Sequence, residues 1–114
     1  MSGKILTVLV LLVAFLGNAQ LLKTSLSITV RDEVGNIVAG ADIALYETAD
    51  DYTKEKNAVF TSVTDEKGMV KFKDLKPKGY FIVVRKDDKD NSGGGEQTGV
   101  LESGKLNKVT IIIQ

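Results

Sequence analysis

Short apolar runs with a period of two recur along this chain and limit what it can fold into. In the first of them, Leu26, Ile28 and Val30 alternate with serine and threonine. The others are Ala41–Tyr46, Val70–Lys73, Tyr80–Val84 and Val109–Ile113. Runs of this length and period predict strands that bury one face and expose the other. No helical period persists, apart from one helical turn that we expect within Ala49–Lys56.

Glycine marks the turns between these runs. The turns are Asp32–Asn36, Asp65–Gly68, Lys76–Gly79 and Ser103–Lys105. Glycine is common in turns because it adopts the positive φ that other residues avoid. We expect Asp65–Gly68 and Ser103–Lys105 each to close a hairpin. Several short strands with one polar face predict an all-β fold, an antiparallel β-sandwich of about seven strands.

The N-terminus has the pattern of a secretory signal peptide. Lys4 is the only charged residue in Met1–Ala19, an apolar run follows it, and small residues stand at positions 17 and 19. The run is shorter than the roughly 20 residues that a transmembrane helix needs. We therefore predict cleavage after residue 19. The mature chain, Gln20–Gln114, is then a single domain in the periplasm or the medium.

The composition excludes several functions. Basic and acidic residues balance, with 15 of each, and they interleave, so nothing favours nucleic acid or stable membrane insertion after cleavage. The absence of histidine and cysteine excludes histidine-based triads, cysteine nucleophiles and ordinary zinc sites, and leaves no thiol for a lipid anchor. A glycosidase needs two carboxylates across a cleft, and a small sandwich offers no evident cleft. We predict a protein that is not an enzyme and has no cofactor.

Two motifs together resemble a known domain. Val30–Leu45 follows the pattern V-x-D-x-x-G-x-x-V-x-G-A-x-I-x-L, and Thr64–Val84 reads TDEKGMVKFKDLKPKGYFIVV. In this order and spacing they are similar to the carboxypeptidase regulatory-like domain, a transthyretin-like β-sandwich of bacterial exported proteins. The resemblance is close over Ser25–Val84 and continues loosely to Ile113. It carries no peptidase activity, because the catalytic domain beside which this module was named is not part of the resemblance.

The residues of these motifs have folding roles. A close backbone approach or a bulge is expected at Gly40 and Ala41, where the chain enters the second strand. Tyr80 is expected to place its ring in the core and its hydroxyl against a backbone group. The full set of predicted structural residues is Gly35, Gly40, Ala41, Asp65, Gly68, Leu75, Pro77, Gly79 and Tyr80.

The resemblance implies an appendage that docks or spaces other proteins. We therefore predict a non-enzymatic exported module that docks to, or spaces, another envelope or secreted protein. Sheet edges accept partner strands, and the C-terminal run Lys108–Gln114 is the candidate edge. Related sandwiches in adhesins and pili form a lysine crosslink from the first strand. Here the inward positions of that strand are apolar, which rules the crosslink out.

Carbohydrate binding is one alternative function. Glycan sites usually display aromatic platforms, and this chain has no tryptophan. The aromatic residues expected outside the core are Tyr46, Tyr52, Phe60 and Phe81. A cluster of lysines at one end is a second place where acidic glycans or lipid headgroups would bind. These lysines are Lys54, Lys56, Lys76, Lys78, Lys105 and Lys108.

A calcium-dependent module is the other alternative. The turns Asp32–Asn36 and Asp65–Gly68 are expected at the same end as the loop Lys86–Thr98, which gathers acidic residues there. Within that loop, Asp88, Asp90 and Ser92 have the spacing of oxygen ligands in a calcium loop, as low-ranking metal candidates. Position twelve of such a loop holds a bidentate glutamate, whereas here it is glycine.

Overall fold

Within residues 23–114, which the computed structural model describes, the chain forms eight strands and one short helix. The strands are β1 (Ser25–Asp32), β2 (Asp42–Tyr46), β3 (Phe60–Val63), β4 (Met69–Phe72), β5 (Gly79–Lys86), β6 (Lys89–Asp90), β7 (Gln97–Val100) and β8 (Leu106–Ile113). The helix α1 (Ala49–Lys54) lies between β2 and β3. No helix in this part of the chain is long and apolar enough to cross a membrane. The predicted signal peptide lies outside the described residues.

The strands form two sheets that pack face to face. The first sheet has the order β4-β1-β8, and the second has the order β3-β2-β5. Both β6 and β7 pair with the remaining side of β5, one at each end of that long strand. Buried apolar side chains from the strands and their connections form one core cluster. The predicted all-β sandwich is confirmed.

The first and last strands pair in parallel, which corrects the prediction of a wholly antiparallel sandwich. The parallel register runs from Ser25 opposite Leu106 to Asp32 opposite Ile113. It arises because the turn Ser103–Lys105 leads from β7 in the second sheet to β8 in the first, so it does not close a hairpin. The turn Asp65–Gly68 likewise connects β3 and β4, which belong to different sheets.

The strand count agrees with the expected number of about seven. The structure has eight strands in residues 23–114, and two short ones lie on the same side of β5. There β6 pairs with Arg85 and Lys86, and β7 pairs with Gly79 and Phe81, so that two short strands share one side of it.

The period-two alternation places the core residues as predicted. Leu26, Ile28 and Val30 of β1 are all 0% exposed, and so are Ile82 and Val84 of β5. Fully burying one such aliphatic side chain contributes about 1.5–3 kcal/mol. The inward positions of β1 therefore hold hydrocarbon where a lysine crosslink would need an amine.

The short helix begins and ends at recognisable caps. The Thr48 hydroxyl accepts a hydrogen bond from the Asp51 backbone N–H at 3.1 Å, which satisfies one of the free donors of the first turn. The helix ends at Glu55, which adopts a left-handed conformation with φ 52°. The helical turn expected within Ala49–Lys56 is confirmed. It packs on the outer face of the second sheet, against β2 and β5.

Candidate docking surface

The outer face of the second sheet carries a groove beside the helix. Its volume is about 430 Å³. The floor lies along one cross-strand row, in which Ala44 of β2 stands between Thr61 of β3 and Val83 of β5. The neighbouring row places Asp42 between Val63 and Arg85. Side chains within such rows are close neighbours, so the methyl group of Ala44 leaves a hollow between larger side chains.

An ion pair forms the wall of this groove. Both guanidinium nitrogens of Arg85 donate to the carboxylate of Glu55, and the Nη2–Oε2 distance is 2.8 Å. Glu55 follows α1, so the pair ties the end of the helix to β5. The hydrogen bond from Arg85 lowers the pKa of Glu55, although partial burial opposes the shift. The same hydrogen bond raises the pKa of Arg85.

Aromatic rings at the far end of the groove pack on one another. The Tyr52 ring of α1 stacks on Phe81 of β5, with ring centroids 5.4 Å apart, and meets Tyr46 edge-on at 6.3 Å. Tyr46 is only 4% exposed, and burial raises the pKa of its hydroxyl. Phe60 packs against the core, 5.9 Å from the ring of Phe72. Tyr46, Tyr52 and Phe81 thus pack on one another instead of standing apart as an open platform of the kind that glycan sites display.

The lysines that the sequence placed at one end contact several different acids. Lys76 lies 3.2 Å from the carboxylate of Glu47, and Lys78 lies 3.9 Å from it. The other pairs are Lys54 with Asp50 and Lys105 with Glu102. Each of these contacts offsets part of the positive charge that an acidic ligand would need.

The predicted turn residues lie where the backbone is constrained. Gly68 has φ +72°, and a Cβ built on it would lie 3.0 Å from the Val30 carbonyl oxygen, so no other residue fits without a shift. The Asp65 carboxylate accepts hydrogen bonds from the backbone N–H groups of Lys67 and Met69 at 2.9 and 3.0 Å. Gly35 lies in the turn after β1, with φ +94°.

The turn around Pro77 is closed by a tyrosine hydroxyl. The Tyr80 ring is 1% exposed, and its hydroxyl accepts a hydrogen bond from the Lys76 backbone N–H at 2.9 Å. Leu75 is buried in the core just before the turn, and Gly79 begins β5 close to the backbone of β7. Buried side chains thus stand on both sides of this turn, and the Tyr80 hydroxyl contacts a backbone group within it.

Acidic residues do gather at one end, as expected. A cavity there is lined by Asp32, Asp88 and Lys89 among others. Within residues 23–114, however, no three acidic side chains come together as a group that could hold a metal ion. The Asp90 carboxylate accepts a hydrogen bond from the Ser92 backbone N–H at 2.9 Å, and this bond lowers the pKa of Asp90. This bond fixes the local turn between Asp90 and Ser92.

The candidate edge at Lys108–Gln114 is half covered. The Ile112 N–H donates to the Gly94 carbonyl at 3.0 Å, and Gln114 exchanges two backbone hydrogen bonds with Asp90. A side chain at Gly94 would overlap the carbonyl of Ile112. The glycine-rich stretch around Gly94 is therefore in close contact with β8 of the first sheet. Only the N-terminal half of β8 remains an open edge.

Sequence reasoning missed Asn91. This residue is 4% exposed, and it lies between β6 and β7, where no strand residue pairs with the middle of β5. Its side chain fills this place, because Oδ1 accepts from the Val84 N–H at 3.0 Å and Nδ2 donates to the Ile82 carbonyl at 2.9 Å. Nδ2 also donates to the Gly95 carbonyl at 2.7 Å. The local sequence, asparagine before serine and glycines, indicates only a turn.

Three similar solved structures come from bacterial proteins, two of them pilins. The TIE protein of Bacillus anthracis is 22% identical with a TM-score of 0.57, and covers 81% of this chain and 17% of its own. BcpA, the major pilin subunit of Bacillus cereus, is 19% identical with a TM-score of 0.56, and covers 81% of this chain and 30% of its own. A streptococcal ancillary pilin is 17% identical with a TM-score of 0.56, and covers 82% and 33%.

These similarities establish the class of fold, a β-sandwich domain. The chain spans a third or less of the length of each of these structures. No protein-family model matches the sequence, and no curated protein matches it. The resemblance to the carboxypeptidase regulatory-like domain therefore remains a prediction from the two motifs.

Proposed function

We propose that this chain is a non-enzymatic exported module that docks to, or spaces, another envelope protein. The groove on the outer face of the second sheet carries the proposal. Its floor is apolar at Ala44 and Val83, and its rim is charged at Asp42 and Arg85. Small apolar recesses with a few polar groups at the rim suit the anchoring side chain of a protein partner.

The charges of the groove favour binding over catalysis. Two carboxylates, Asp42 and Glu55, line it. A general acid must hold a proton near its working pH. Arg85 lowers the pKa of Glu55, so this carboxylate is ionised at neutral pH and cannot donate a proton. The pair Glu55–Arg85 is better suited to orient a polar group of a partner.

The N-terminal sequence and the fold support the proposed localisation outside the cytoplasm. The predicted signal peptide, Met1–Ala19, would export it, and the mature chain has no cysteine for a lipid anchor. Two of the similar structures are pilins, one of them named as a major subunit, which supports a part in a protein assembly. The partner is accordingly a protein of the envelope or the medium.

A capture experiment with a filled groove tests this proposal. Tagged chain from Gln20 onward is used to capture proteins from the envelope of its own cell. Ala44→Arg fills the groove floor without touching the core, and Thr110→Arg puts the same side chain on the exposed face of the other sheet. We expect one saturable partner that wild type and Thr110→Arg retain and Ala44→Arg loses. Equal capture by all three excludes the groove, and no saturable capture overturns docking.

A further inference from the structure

The edge of β3 presents unpaired backbone groups. Alternate residues of this segment bond to β2. Thr64, just after β3, donates its N–H to the Ala41 carbonyl, and two residues earlier Ser62 stands opposite Ile43. Thr61 and Val63 fall between them, and their N–H and C=O groups point away from the sheet. No turn or loop of the described chain bonds to these groups. Val63 is 53% exposed.

The edges at β4 and β8 differ from this one, because each carries a feature that hinders pairing. On β4, Asp65 occupies both outward backbone groups of Met69: the Asp65 N–H donates to the Met69 carbonyl, and the Asp65 carboxylate accepts from the Met69 N–H. The next residue whose backbone faces outward is a lysine, Lys71. On β8, the loop Asp90–Gly94 covers the C-terminal half, and Lys108 stands in the open half. Lysines, short pairing segments and covering loops are the usual protections of an edge.

β3 is short as well, but within residues 23–114 no lysine stands in it and no loop covers it. Its sequence, FTSV, has no charge and no proline. Its outward groups lie symmetrically on both sides of Ser62. A two-fold axis at Ser62 would therefore pair Thr61 of one copy with Val63 of the second, and the reverse, through four backbone hydrogen bonds. The edge is complementary to itself, which is the requirement for a two-fold interface.

We infer that two copies of this chain pair antiparallel through β3 and join their second sheets into one. The side chains that this register brings together support a second copy of the chain as the partner. Thr61 and Val63 are β-branched, and such residues make favourable cross-strand neighbours. Beyond them, Val59 meets Asp65 of the second copy, so no like charges oppose each other. The inference goes beyond the proposed docking function, because it concerns the strand edge and requires no other protein.

The first test measures mass in solution. Sedimentation equilibrium of the wild-type chain from Gln20 onward is expected to show a reversible doubling of mass as its concentration rises. Thr61→Pro removes an outward N–H without breaking a bond to β2, and should return the chain to monomer. Thr110→Pro makes the same change at an outward N–H of β8, and should leave the dimer intact. A wild type that stays monomeric, or forms larger assemblies than dimers, overturns the inference.

A single cysteine tests the register. The chain has no cysteine, so Ser62→Cys introduces one thiol. Directly opposed residues of a pair that is not hydrogen-bonded have Cα atoms about 4.5 Å apart, within the range of a disulfide. Mild oxidation should crosslink Ser62→Cys into a dimer, while Ser103→Cys, in an exposed turn, should stay monomeric. If both proline variants are monomeric, the loss of the dimer could come from a broken β3 interface or from general unfolding, and this crosslink distinguishes the two explanations. Its absence overturns the inference.

Discussion

The hydroxyl of Thr64 lies 2.8 Å from the backbone nitrogen of Ala41, and it links two backbone groups of the segment that leads into β2. It accepts a hydrogen bond from the Ala41 N–H and donates one to the Val38 carbonyl at 2.7 Å. The Thr64 backbone also pairs with Gly40 and Ala41. Gly40 has φ +72°, which lets consecutive N–H groups turn toward one residue. This explains why a glycine and an alanine interrupt a strand-like segment.

Replacing Thr64 should therefore be costly. Thr64→Val keeps the shape but removes the hydroxyl, which leaves the Ala41 N–H and the Val38 carbonyl without their partner. Each unsatisfied buried group costs about 1–3 kcal/mol, so we expect a loss of roughly 2–4 kcal/mol. Urea unfolding followed by circular dichroism measures it. Thr64→Ser is the control, because it keeps the hydroxyl and loses only one methyl group, worth about 1 kcal/mol. Equal losses in the two variants would show that the hydroxyl is unimportant.

Asn91 should be the asparagine most sensitive to replacement within residues 23–114. Asn91→Ala leaves the Val84 N–H and the Ile82 and Gly95 carbonyls without partners. At about 1–3 kcal/mol for each unsatisfied group, we expect a loss of at least about 3 kcal/mol. The same unfolding experiment measures it. Asn36→Ala is a matched control, because Asn36 is exposed and its side chain makes one hydrogen bond of 3.3 Å to Asp32. A surface change of this kind costs below about 0.5 kcal/mol. Similar losses in both variants would contradict the role of Asn91.

The fold was more predictable than its connections. Burial of Leu26, Ile28 and Val30 follows from a local alternation, which one strand carries by itself. The parallel pairing of β1 and β8 depends on which sheet each turn leads to, and turn residues such as Ser103–Lys105 do not encode that choice. Asn91 escaped prediction for the same reason, since its partners lie seven and nine residues away on another strand.

The candidate site was harder still to predict. Ala44 alternates with the core residues of β2, and its importance comes from Thr61 and Val83 beside it in the sheet. Tyr46 was expected on the surface, because it alternates with core residues. The alternation did place it on the outer face, but α1 then covered that face through Tyr52. A pattern along one strand cannot report what packs across it.

Export predicts a defined N-terminus. When the full chain is expressed in its own host, the exported form should begin at Gln20, because small residues at positions 17 and 19 suit signal peptidase. Intact mass spectrometry of the medium and of the periplasmic fraction determines both the cleavage site and the localisation of the exported protein. Ala19→Arg should block cleavage and leave the precursor with the membrane. An exported chain that retains Met1 would contradict the prediction.

Calcium is expected to leave the melting temperature unchanged. The Asp90 carboxylate accepts a hydrogen bond from Ser92, and no three acidic side chains of residues 23–114 form a group that could hold a metal ion. A ligand that binds only the folded chain would raise its stability, so a thermal scan with millimolar calcium tests the candidates directly. A rise that disappears in the double variant Asp88→Ala, Asp90→Ala would restore the calcium-dependent module.

The Glu55–Arg85 pair should contribute to acid sensitivity. Because Arg85 lowers the pKa of Glu55 below its ordinary value of 4.5, the folded chain holds that proton less tightly than the unfolded chain does. The stability from this pair is present above pH 4.5 and is lost as the pH falls through the lowered value. Side chains that are 53% and 41% exposed are screened by solvent, so we expect less than about 1 kcal/mol.

A double-variant cycle isolates that contribution. Glu55→Gln should lower stability slightly at neutral pH and flatten its decline between neutral pH and strongly acidic pH. In an Arg85→Gln background, the same change should have little effect, because the carboxylate no longer has its partner. Urea unfolding at a series of pH values, at low and high salt, measures all four chains. If Glu55→Gln has the same effect in both backgrounds, then the two residues are not coupled, and the groove wall is not held by their charge.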